Sequence, residues 1–175
     1  MCSWFKFTYM KTLFLIRHAK SSWDDPTEDD FSRPLNHRGK KDAPKMAKRL
    51  KEKKVFPDVM ISSPAVRAKT TCLEFASTFE FDEKKIIWEP KLYHASEETI
   101  LSVISELEDH PRDSEEVVLL FGHNPGLTMF ANSFLNAQVM DIPTCGIVAG
   151  HLTISKWEQA HFGCGKVFLT EFPKD

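Results

Sequence analysis

At 175 residues, with a hydrophobic fraction of 42% and a charged fraction of 27%, the chain has the make-up of one soluble globular domain with a sizeable core. Its formal net charge of -2 supplies no global attraction to nucleic acid or to an anionic membrane, and no apolar run approaches the length of a transmembrane helix. Cys2, Cys72, Cys145 and Cys164 are scattered without a C-x-x-C pair, which reads most simply as free thiols in a reducing cytoplasm, although spacing alone leaves a bridge open.

In the stretch MCSWFKFTYMK, Lys6 and Lys11 interrupt any signal-like apolar region. Met10-Lys11 is a natural start for a strand, so residues 1–9 are read as an extension and 10–175 as a single domain. Leu13 to Ile16 is apolar without alternation, as expected of a strand buried on both faces of a parallel sheet. It ends in Arg17-His18. A polar loop rich in Asp and Pro runs from Ala19 to Leu35; Asn36 then caps a helix to about Lys53, with Pro44 predicting a kink or a later start. Val59-Met60-Ile61 predicts a second strand, and Ser63 as cap with Pro64 in the first helical position predicts a helix to about Phe79.

Ile86 to Trp88 reads as a short strand, and Ser96 opens a helix to about Leu107. Val117 to Phe121 is a second run buried on both faces, ending in Gly122-His123-Asn124-Pro125-Gly126, with a helix following to about Leu135. Val148 to Ser155 and Lys166 to Phe172 read as an antiparallel hairpin at an edge. The alternation predicts one α/β domain with a mixed, mainly parallel sheet.

In open α/β sheets, ligands bind beyond the carboxyl ends of the strands. Arg17-His18, Arg67 and His123 all fall at such ends, and Arg33 lies on a loop able to fold back to the rim of the same place. Two His and several Arg around one point suit a phosphoryl group, whose oxygens guanidinium forks bind bidentately. The helix N-termini after Ser63 and after Asn124 would add backbone donors.

R-H-A at 17–19, S-S-P-x-x-R-A-x-x-T from Ser62 to Thr71, and G-H-N-P at 122–125 resemble the histidine phosphatase superfamily. R-P-L at 33–35 and the short length resemble its small phosphohistidine phosphatase subgroup. The resemblance implies a three-layer α/β/α, phosphoglycerate mutase-like fold. It also implies His18 as the nucleophile, with Arg17, Arg67 and His123 binding the phosphoryl group and Arg33 and Asn124 as further substrate contacts. The expected partners are a phosphohistidine-containing protein and phosphate or a similar oxyanion in the site. A monomer without cofactor or metal, in the cytoplasm, is expected.

Two departures stand out. The third motif residue is usually Gly and here is Ala19, which would matter if that position needs a positive φ. Phosphoglycerate mutases and many alkyl-phosphate phosphatases of the family carry an acid two residues after a Leu; the matching stretch is Leu92-Tyr93-His94, so the carboxylic acid is missing, as in the small phosphohistidine phosphatases. His94 stays a substrate-side candidate that could donate a proton. A small-molecule phosphomonoesterase of the same superfamily and a non-catalytic phosphoprotein-binding module remain the alternatives.

Other chemistries fail on spacing. The position six residues after each later Cys holds Thr78, His151 or Thr170 rather than Arg, and the glycine that a P-loop at Gly165-Lys166 needs is Ala160. The Asp24 to Asp30 loop reads as solvated rather than Mg²⁺-binding, and no H-E-x-x-H occurs. Nine Lys or Arg between His37 and Lys54 read as a solvated helix face, with docking of an acidic phosphoprotein as the alternative. The four Trp and most of the 14 Phe are assigned to the core.

Overall fold

A computed structural model describes residues 11–110 and 115–173; the predicted extension, residues 1–9, lies outside them. Strands β1 (Lys11–Arg17), β2 (Val59–Ser62), β3 (Ile87–Trp88) and β4 (Glu116–Gly122) are parallel. β5 (Ile147–Leu152) and β6 (Gly165–Glu171) add antiparallel pairs, giving the order β3-β2-β4-β1-β5-β6. Helices α1 (His37–Glu52) and α2 (Val66–Phe79) cover one face, and α3 (Glu97–Ser105) and α4 (Gly126–Leu135) the other.

Both faces are filled because the central strands are apolar without alternation over Leu13 to Ile16 and Val117 to Phe121. In β1, Leu13 and Leu15 point to the α3/α4 side and Phe14 and Ile16 to the α1/α2 side; in β4, Val118 and Leu120 oppose Leu119 and Phe121 in the same way. β1 leads through α1 to β2, beyond β4, whereas β4 leads through α4 to β5, beyond β1. Connections leaving neighbouring strands in opposite directions open a crevice at their carboxyl ends.

Asn36 caps α1 as predicted, accepting from the Gly39 N–H at 2.8 Å. The helix runs through Pro44 without a later start, because Ala43, Met46, Ala47 and Leu50 around it are all buried against the sheet and packing outweighs one lost backbone bond. α2 starts later than predicted, with Ala65 rather than Ser63 in the cap position. Ser63 is held in extended pairing by its N–H bond to the Phe121 carbonyl, and its hydroxyl is engaged elsewhere.

The aromatic assignment needs correction. Among the described residues Trp157 is the fully buried tryptophan, whereas Trp23 is 73% exposed and Trp88 half-buried; Phe31, Phe56, Phe162 and Phe168 are also exposed. Trp23 stays outside because its ring stacks on a guanidinium, that of Arg33, 3.5 Å from the centroid. Cys72, Cys145 and Cys164 are free and buried, and burial pushes each thiol upward. No helix among the described residues is long and apolar enough to cross a membrane.

Candidate active site

The β1–β4 register pairs Arg17 with Gly122, so the next residue on each strand, His18 and His123, emerges side by side at the crevice. Their ring centroids lie 5.0 Å apart, and the two residues are 8% and 3% exposed. The His18 N–H bonds the Gly122 carbonyl, which locks the strand ends together. Within the His18 ring, Nδ1 lies 2.8 Å from the Ala19 carbonyl, which can only accept, so the proton sits on Nδ1. Nε2 therefore presents its lone pair, and Arg67 Nε donates to it at 3.3 Å. Burial, reinforced by the charges of Arg67, Arg17 and Arg33, pushes His18 down to about 3, so the ring is neutral at physiological pH.

Ala19 is not among the residues of positive φ, so the methyl group brings no backbone strain. The Ala19 N–H donates to Thr71 Oγ1 at 2.9 Å, and that hydroxyl donates to the Arg67 carbonyl, tying the segment that carries His18 to the first turns of α2. Gly39 lets α1 approach on the other side, where a Cβ would stand 2.2 Å from the Lys20 carbonyl oxygen. Arg67 is 2% exposed; its Nη1 donates to the Asp30 carbonyl and its Nη2 to Asp30 Oδ2 at 2.8 Å.

His123 Nε2 lies 2.8 Å from Ser63 Oγ, which already accepts from the Ala65 N–H. With the serine proton directed to Nε2, the imidazole proton stands on Nδ1, the tautomer that offers a donor to the crevice. Burial above all, with the Arg67 charge adding to it, pushes His123 down to about 2. Arg33, expected at the rim, is instead 7% exposed, with Nη2 donating to Ser21 Oγ at 2.7 Å and Nη1 3.5 Å from Asp30 Oδ1. Its loop folds back because Ser22 and Asn36 bond the Pro34 and Lys20 carbonyls.

Arg17 Nη1 donates to the Ile142 carbonyl at 2.6 Å and to Asp141 Oδ2 at 3.2 Å. Asn124 braces the same segment, donating to Asp141 Oδ1 and the Ile142 carbonyl while its own oxygen accepts from Thr128 Oγ1. Among the described residues, the buried side-chain nitrogens without a hydrogen-bond partner are Arg17 Nε, Arg33 Nε, Arg33 Nη1 and His123 Nδ1. All four belong to these site residues; the three arginine nitrogens are donors, and His123 Nδ1 is one when the ring proton stands there. Leaving such groups unpaired costs roughly 1–3 kcal/mol each, and their gathering at one crevice suits an anionic ligand.

His94 stands at the mouth with a φ of 49°, a left-handed backbone that is strained for a non-glycine residue. It is held there by Asp30 Oδ2, 2.9 Å from its Nε2, and by ring contacts with Tyr93 at 4.3 Å and His123 at 5.4 Å. Gly126 sets this wall, since a Cβ there would fall 1.8 Å from the Ala95 carbonyl oxygen.

Sequence reasoning missed Asp30, Tyr93 and Ser63 as site residues. Asp30 falls in the loop that reads as solvated; the one available signal is its position three residues before Arg33, on the segment expected to fold back. Among the described residues, no group of three or more His, Cys, Asp or Glu is placed to hold a metal ion.

A model of the histidine phosphatase superfamily (branch 1) matches residues 13–94, which hold Arg17, His18, Arg33, Arg67 and His94. The chain is 29% identical over 157 residues to an uncharacterized chloroplastic protein of Arabidopsis thaliana, covering 86% of this chain and 70% of that protein. It is similar to the SixA structure from Agrobacterium tumefaciens at 26% identity and a TM-score of 0.75, over 95% of this chain and 100% of that one. It is also similar in fold to the protein histidine phosphatase SixA complexed with tungstate, at 20% identity and a TM-score of 0.74, over 91% and 95% of the two chains. The chain thus has the expected phosphoglycerate mutase-like fold, shared with SixA, and gathers at one crevice the motifs by which residues 13–94 match the histidine phosphatase superfamily.

Proposed function

We propose that this chain is a phosphatase that moves a phosphoryl group from a phosphohistidine on a protein to His18 Nε2 and then to water, with no metal ion. In the first step the Nε2–P bond forms as the substrate's P–N bond breaks, and the leaving imidazole keeps the proton it carries. Water then cleaves the phosphoramidate on His18 and releases inorganic phosphate. Arg17, Arg33, Arg67 and His123 Nδ1 supply the donors for the charged equatorial oxygens, the stabilisation on which phosphoryl transfer mainly depends. The observation that carries this reading is the convergence of unpaired buried donors around a neutral His18 whose lone pair faces Arg67. Buried free thiols support a reducing, cytoplasmic setting.

Substrate class follows from the leaving group. An alkoxide needs a proton as its P–O bond breaks, whereas imidazole is a far weaker base, and losing a general acid typically costs about 10²–10⁴-fold. No carboxylic acid stands at position 94, so alkyl phosphates should be turned over slowly. One observation favours a second reading: His94 Nε2, exposed at the mouth and bonded to Asp30, is a protonatable group where a phosphomonoesterase would keep its acid. Turnover of phosphohistidine protein, phospho-amino acids and sugar phosphates, with chelator present, separates the two. The account expects a strong preference for phosphohistidine, little changed in His94→Ala. Efficient hydrolysis of a sugar phosphate that disappears in His94→Ala would establish the second reading instead.

A further inference from the structure

The loop between β1 and α1 brings an anion of its own into the site. Asp30 Oδ2 accepts from Arg67 Nη2 at 2.8 Å and from the Tyr93 hydroxyl at 2.7 Å, and lies 2.9 Å from His94 Nε2. Its other oxygen faces Arg33 Nη1 at 3.5 Å, and its main-chain carbonyl takes the remaining terminal nitrogen of Arg67. Two guanidinium groups and two further polar groups gathered on one carboxylate reproduce the surroundings of a bound phosphoryl oxygen. The two partners differ in depth: Arg67 is 2% exposed, whereas the Asp30 side chain is 42% exposed and enters from the solvent side.

We propose that Asp30 is a resident anion of the phosphoryl pocket, held by Arg67, Arg33, Tyr93 and His94 in the place of a phosphoryl oxygen, and displaced when the substrate's phosphoryl group enters. The proposal rests on the oxyanion site described above and adds a selection rule to it. A tethered carboxylate competes at an effective concentration in about the millimolar range, set by its short loop. Small monoanions such as chloride or acetate offer the guanidinium groups nothing more than Asp30 does. A phosphoryl dianion brings three oxygens and a second charge, and reaches the orphaned donors of Arg17 and His123 that Asp30 leaves unpaired. Loss of phosphate then lets the carboxylate return, which favours product release.

A proton-transfer role fits Asp30 less well. Burial alone would raise its carboxyl, but the hydrogen bonds from Tyr93, His94 and Arg67 outweigh it and hold the group below the usual carboxylate range. At neutral pH it carries no proton to give and is a feeble base.

The test compares wild type with Asp30→Asn, Asp30→Ser and Asp30→Glu. Calorimetry measures binding of inorganic phosphate and orthovanadate, and kinetics measure kcat/KM on a phosphohistidine protein. Removing the competitor in Asn and Ser should tighten phosphate binding by about tenfold and raise kcat/KM in parallel, while Glu should stay nearer to wild type. Phosphate affinity unchanged or weakened in both Asn and Ser variants would overturn the proposal. A fall in kcat/KM would also overturn it, by making Asp30 a catalytic or positioning residue. If wild type and all variants bind neither anion, the oxyanion site itself fails, and the proposed function with it.

Discussion

Arg67→Lys separates the shape of the cation from its charge. The three nitrogens of Arg67 do three things at once: Nε meets His18 Nε2, Nη1 the Asp30 carbonyl and Nη2 the Asp30 carboxylate. A lysine keeps the charge but presents one ammonium, which cannot face His18 Nε2 and clasp two oxygens together. The variant should fold, since the ammonium can still pair with Asp30 from the same buried position. In the transition state, losing one preorganised charge-assisted contact costs about 2–4 kcal/mol, or about 30- to 900-fold in kcat/KM. The assay is kcat/KM on phosphohistidine protein, with the thermal midpoint measured alongside to show an intact fold. Activity within about threefold of wild type would refute the reasoning and remove the Arg67 fork from phosphoryl stabilisation.

Ser63→Ala removes the hydroxyl 2.8 Å from His123 Nε2; it should lower kcat/KM about tenfold by freeing the tautomer that keeps the proton on Nδ1, with Ser63→Thr restoring most of it, and equal activity in Ala and wild type would disprove this role. Stability should fall as pH drops, because both folded-state pKa values, about 3 for His18 and about 2 for His123, lie below the usual 6.5. Above 6.5 neither state binds the protons; below it the unfolded chain takes up both and the folded one does not, so stability drains from pH 6.5 downward by at most about 2.7 kcal/mol per unit for two groups. Denaturant titrations at pH 7 and 5 measure this loss, and a pH-independent midpoint across that window would show that the two rings are not held neutral.

The framework was legible because it depends on local pattern. Non-alternating runs at Leu13 to Ile16 and Val117 to Phe121 marked the two central strands, and the histidine just beyond each marked the crevice. Capping chemistry placed α1 and α3 through Asn36 and Ser96. What was not legible arises between distant segments. Ser63 looked like a helix cap, yet its hydroxyl is bound to a ring sixty positions away. Asp30 looked like one more solvated acid, and only the folding back of its loop sets it between Arg67 and Arg33. Trp23 looked like core because aromatic residues usually are, but cation stacking on Arg33 offsets its exposure. Asn124, read as a substrate contact, is occupied in bracing Asp141 and Ile142, through which it steadies Arg17.

The central claim is that phosphoryl transfer passes through His18 Nε2, and rapid acid-free quenching of the enzyme with labelled phosphohistidine protein tests it most directly. Peptide mapping should find label on His18, stable to alkali and lost in acid, with none in His18→Ala, which folds but does not turn over. Label on any other residue, or full turnover by His18→Ala, would contradict the account.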